Sequence, residues 1–161
     1  MKKILLLLAL SATIYSCTKE TNDMVSNLET DDMVAALGYT GEWELVEMTG
    51  SAVGSVYTGS DMQWQETYDI NEDESFVKTR VRGDSTVIAS GTYTITEEES
   101  MDESESDIQS RIEFLHNTDN KIIGNCHSNS TIEYLYFTSN NKLISTWNAC
   151  DGPGLEYVKS K

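Results

Sequence analysis

Glu66 is the side chain of this sequence best placed for chemistry. It falls in phase with Met62, Trp64, Tyr68 and Ile70 on the apolar face of an alternating stretch, while Gln63, Gln65, Thr67 and Asp69 share the opposite face. A carboxylate taken out of water alone is costly, so it needs a cationic partner or must keep its proton. One reading makes Glu66 a polar anchor inside a ligand pocket. The other makes it a structural pair with an arginine, or a position on an exposed rim. The aromatic set Trp64, Tyr68, Tyr93, Tyr134, Tyr136 and Trp147 supplies candidate pocket walls, and Ala89, Gly91 and Gly124 leave room between them. Large inward residues push the other way, towards a filled interior.

Cysteine and histidine invite a metal reading. Cys126, His127, Cys150 and His116 are ligand types for zinc, but their spacing matches no structural zinc pattern, and no metal site is expected. Residues 97–107 (EEESMDESESD) hold seven acids and no base, yet lack the frame of a calcium-binding loop and read as a solvated loop. Nucleophile-elbow, zinc-protease and phosphate-loop motifs are missing, and both histidines fall in expected turns. The expectation is a non-enzyme with no cofactor.

The first 17 residues carry address rather than chemistry. Lys2 and Lys3 precede an apolar run, Ile4 to Ala12, shorter than the roughly 20 residues that span a bilayer. The run leads to Ile14-Tyr15-Ser16-Cys17, a loose lipobox. Residues 1–16 therefore read as a lipoprotein signal peptide and Cys17 as the lipidated residue, giving a membrane partner without a spanning helix. The expected location is the cell envelope, as an outer-membrane lipoprotein on its periplasmic or surface face. Palmitate is the kind of acyl chain implied. Lys19, Glu20 and Asp23 weakly resemble a charged surface-export tag. Using Cys17 this way leaves Cys126 and Cys150 as an even pair outside the cytosol, where a disulfide persists.

The chain has 161 residues and a formal charge of −16, more negative still once Lys2 and Lys3 are removed. Such a charge argues against nucleic acid, whose phosphates need a basic face. It also argues against electrostatic attraction to anionic lipid. One domain, expected to be monomeric, fits this length.

The elements that must position these residues are strands. Residues 17–37 read as a tether followed by a short helix, Asp31 to Leu37, with Gly38 as its stop. Nine strands are then expected, at 42–48, 62–70, 76–82, 86–96, 108–115, 121–126, 131–138, 142–149 and 155–159, joined mostly by short turns. Connections this short demand antiparallel pairing. Closing such a meander removes its edges, so an all-β, antiparallel up-and-down barrel of about eight strands is expected over residues 38–161, ahead of a two-sheet sandwich. In that barrel Cys126 and Cys150 fall at one rim.

Gly41-Glu42-Trp43, opening the first strand after a short helix, resembles the G-x-W signature of lipocalin barrels. The ending, Ile144-Ser145-Thr146-Trp147-Asn148-Ala149-Cys150-Asp151-Gly152 and then Tyr157-Val158-Lys159, resembles lipocalin-like domain lipoproteins of Bacteroidetes-type bacteria. The resemblance covers roughly residues 38–161. It implies that Trp43 closes one end of the barrel with a basic residue over it, for which Lys159 is the nearest candidate. It also implies a calyx for a small apolar or amphipathic ligand, bound without catalysis. On that reading Trp64, Glu66, Tyr68, Tyr93 and Tyr136 line the pocket. The alternative is a surface-interaction or structural lipoprotein with a filled barrel, whose loops contact a protein or glycan. A connected internal cavity would favour the first, and a packed interior the second.

Overall fold

The computed structural model describes residues 38–50, 52, 54–97, 107–127 and 129–161. Both Cys17 and the helix expected at Asp31 to Leu37 lie outside these. Gly38, the expected helix stop, has φ 71°, a conformation that suits glycine.

Nine strands form one antiparallel sheet. They are β1 (Gly41–Thr49), β2 (Val56–Thr58), β3 (Gln65–Ile70), β4 (Ser75–Arg82), β5 (Ser85–Glu97), β6 (Ile108–His116), β7 (Ile132–Thr138), β8 (Lys142–Ser145) and β9 (Gly154–Lys159). From β3 to β9 each strand pairs with the next, and β9 pairs back to β1, so eight strands close into an up-and-down barrel. The short β2 shares an edge of β1 with β3: Gly41–Glu44 pair with β3 and Glu47–Thr49 with β2. Two departures from the expected strands stand out. Val56–Thr58 was not expected, and residues 121–126 form no strand.

Turn chemistry sets the hairpins. Gly83, with φ 57°, allows the two-residue turn between Arg82 and Ser85, and Asn141, with φ 56°, turns β7 into β8. In β1 a register shift between Leu45 and Glu47 changes the alternation. Trp43 and Leu45 face inward before it and Met48 after it, so the bulge keeps the strand's far end in contact with the core.

The inward positions are filled. Phe114 lies 4.8 Å from Phe76 and 5.0 Å from Tyr68 between ring centroids, and Tyr68 lies 5.4 Å from Tyr157. At the end where the chain enters, Trp43 is buried, donates its indole N–H to the Tyr39 carbonyl at 2.7 Å and meets Phe137 edge-on. The Tyr39 hydroxyl closes the same end with Ser110 at 2.7 Å. At the opposite end, the mouth, residues 117–127 and 129–131 cross the opening as a lid.

Candidate functional site

The mouth holds a buried ionic cluster built by strand alternation. On β3, Glu66 points inward two residues from Tyr68. On β4, Lys78 and Arg80 continue the inward face that starts at Phe76. β7 brings Glu133 in phase with Leu135 and Phe137, and β6 ends on inward His116. Across the barrel these side chains meet. Glu66 pairs with Arg80, and its other oxygen lies 3.0 Å from the Lys78 ammonium. Lys78 reaches both Glu133 oxygens, at 2.8 and 2.9 Å. His116 Nε2 lies 3.1 Å from Glu133 Oε2, and the Tyr157 hydroxyl donates to Glu66 Oε1 at 2.6 Å.

Burial alone would oppose ionising Glu133. The Lys78 charge and the hydrogen bonds from His116 and Lys78 outweigh it and hold the carboxyl at about 2. Burial pushes the Tyr68 and Tyr157 phenols well above their usual range, and the nearby Glu66 and Glu133 charges push the same way. Next to the ionised Glu133, His116 Nε2 acts as donor, which leaves the buried Nδ1 without a hydrogen-bond partner in the protein. The Arg80 guanidinium lies over Trp64, 4.3 Å from the ring centroid, with Trp147 at 6.0 Å.

The lid is bonded to this cluster through its backbone. Arg80 donates to the Ile122 carbonyl at 3.2 Å, and the Gly124 N–H donates to Glu133 Oε1 at 2.9 Å. A β-carbon on Gly124 would come 2.8 Å from that oxygen and 3.0 Å from the Trp147 ring, so glycine permits the approach. Ile122 is buried as a plug. A disulfide joins Cys126 to Cys150, with the Cα atoms 5.5 Å apart, and staples the lid to the 3-10 turn Trp147–Cys150. This pairing matches the rim disulfide expected from the cysteine count.

The residues read from sequence as pocket walls do not converge on one cavity. Trp64, Glu66 and Tyr68 sit together in the cluster, and Glu66 has the arginine partner of its structural reading. Tyr93 points inward near the other end and donates to the Asn71 carbonyl at 2.8 Å. Its hydroxyl, near Glu74, is pushed up to about 12 by burial first and that charge second. Tyr136 is not a pocket residue. The inward residues of β7 are Glu133, Leu135 and Phe137, so Tyr136 faces outside. His116 is not in a turn but ends β6, and only His127 lies exposed in a loop. With Cys126 and Cys150 bonded to each other and His116 inside the barrel, the imagined zinc set is dispersed. Lys159 stands opposite Trp43 in the β1–β9 register and donates its ammonium to the Gly38 carbonyl at 2.9 Å.

Sequence reasoning missed Lys78, Arg80 and Glu133, and placed His116 in a turn and not in this cluster. The signal for the first two was there: Lys78 and Arg80 lie in phase with apolar Phe76. Glu133 and His116 declare themselves only through partners on other strands.

One cleft lies on the outside of the lid and another lies away from it, between the ends of β1 and β2 and residues 151–153. The first, of about 290 Å³, is lined mainly by Asp119, Asn120, Asn125, His127, Asn129 and the disulfide. The other, of about 160 Å³, lies between Tyr57, Trp64 and Pro153. Comparison with family models, curated proteins and solved structures returned no match for this chain.

Proposed function

We propose that this chain is a lipocalin-like envelope lipoprotein, anchored at the outer membrane through Cys17, that acts without catalysis as a filled scaffold. Its mouth loops contact a protein or glycan. A closed barrel is also compatible with a calycin-like ligand-binding protein. The observation favouring the scaffold is the interior itself. Side chains lining a ligand-sized cavity keep accessible surface, whereas Tyr68, Ile112, Phe114, Leu135 and Tyr157 are each 0% exposed.

An apolar calyx also fits poorly with the mouth. Its deepest polar layer is two carboxylates held by Lys78 and Arg80, and opening a path for an acyl chain would expose or unpair them. The lid residues offer polar surface instead: Asp119, Lys121, His127 and Asn129 are exposed around the larger cleft.

Titration of the protein with an environment-sensitive apolar dye and with a fatty acid, followed by tryptophan fluorescence, tests the scaffold reading. No saturable binding is expected. Saturable one-to-one binding, lost in Glu66→Gln, would restore the calyx.

A further inference from the structure

A closed barrel has no strand edges, yet this one keeps a short one. Strand β5 pairs with β4 along Ser85–Thr92, but with β6 only from Gly91 onward, where Gly91 faces His116. The Asn117 N–H caps Ser90 at 2.9 Å, and the chain then leaves for the lid. A β-carbon on Gly91 would lie 1.9 Å from the Leu115 carbonyl oxygen, so glycine marks the close crossing where β6 departs. Beyond it, Ser85–Ala89 have a partner on one side only among the described residues.

Direction of the free groups follows from alternation. The Ser90 carbonyl points to the β6 side, so Thr86 and Ile88 present their N–H and C=O to the same open side. Natural edges are usually blunted by lysine, proline, a bulge or a covering element. Ser85, Thr86, Val87, Ile88 and Ala89 carry no charge and no proline. The apolar side chains around them are exposed: Ile88 66%, Val81 39% and Val87 37%.

We infer that this edge is a docking strand for an extended, basic segment of a partner protein, which adds to β5 antiparallel in the place β6 vacates. The inference rests on the scaffold reading above and names its partner's chemistry. Backbone pairing to Thr86 and Ile88 supplies affinity, and alternate apolar residues of the segment cover Ile88 and Val81 on the outer face. Charge selects the occupant. Arg82 and Asp84 cancel at the hairpin tip, so the field is that of a chain with 27 acids and 11 bases, which draws in a basic segment and repels a second copy.

The test uses the full exported chain in detergent with three synthetic seven-residue probes. One alternates lysine and valine, one is the same peptide N-methylated on alternate residues, and one alternates glutamate and valine. Saturation with the lysine–valine peptide should slow amide exchange at Thr86 and Ile88 at least tenfold, and its binding should weaken several-fold as salt rises. The N-methylated and glutamate peptides should not protect these amides. The Ile88→Pro variant, which has no amide at 88, should abolish protection at Thr86, and Ile88→Lys, which keeps every β4 bond, should weaken it should the proline variant not fold. Equal protection by the N-methylated peptide, protection elsewhere only, or no protection overturns the inference. So does concentration-dependent dimerisation that protects the same amides without peptide. Photo-crosslinkers placed at Ile88 and at Asn129 in intact cells separate the two levels. Adducts at Asn129 with none at Ile88 leave the scaffold reading standing and sink the docking strand, while adducts at neither site sink both.

Discussion

Glu133 sets the acid sensitivity of the mouth. Its carboxyl is held at about 2 in the folded protein against 4.5 unperturbed. Above pH 4.5 both folded and unfolded chains are ionised there, and the stabilisation is fully present. As pH falls from 4.5 towards 2, the unfolded chain takes up a proton that the folded chain refuses, and the stabilisation is lost. Thermal unfolding followed across that window should show a steep fall in Tm that is flattened in Glu133→Gln. An unchanged slope would mean that Glu133 does not carry it. Lys78 is the shared cation of both buried carboxylates, so Lys78→Met should cost about 3–5 kcal/mol in urea denaturation. Pairing it with Glu133→Leu should cost less than the sum of the two single changes, because the uncompensated charge goes with it. At this scale the sequence was partly legible. The phase of Glu66 showed a buried acid. Its cations lay on another strand and could be named only as an unspecified arginine.

Elements were easier to read where their own pattern decides them. Alternation located most strands, and Gly83 and Asn140-Asn141 located turns. The stretch Lys121 to Cys126 reads locally as a strand because Ile122 and Ile123 are β-branched and apolar. In the fold Ile122 plugs the mouth, and the backbone around it bonds to Arg80, Glu133 and Asn120 side chains instead of to a neighbouring strand. The disulfide closes the chain over a separation of 24 residues, which is worth about 3 kcal/mol by restriction of the unfolded state. Replacing both cysteines by serine should lower stability by that order, and amide exchange should rise first in residues 117–131 while β3–β6 stay protected. Uniform loss of protection would show that lid and barrel unfold as one unit. At Gly91 a β-carbon meets backbone and not a movable side chain, so Gly91→Ala should cost more than about 2 kcal/mol and loosen the β5–β6 crossing. Gly83→Ala, with nothing near its β-carbon, should cost only its backbone strain.

For the molecule as a whole, the proposed anchor and the acidic surface are complementary devices. A chain of charge −16 gains nothing from anionic head groups, so the proposed membrane residence would rest on acyl chains at Cys17 alone. Metabolic labelling with a fatty-acid probe should mark the wild type and not Cys17→Ala, and the variant should leave the membrane fraction. Equal labelling of both would refute lipidation. The sequence by itself determined the closed antiparallel barrel, because alternation at period two and connections too short for crossovers leave few other ways to bury these faces. It also pointed to the cysteine pair, since only two remain once Cys17 is assigned. Tertiary structure alone decided that the described inward side chains pack into one core, that Glu66 is paired with Lys78 and Arg80, and that residues 121–126 close the mouth. Each of these depends on which side chains from separate strands arrive at one point, and barrel closure sets that where no local pattern does.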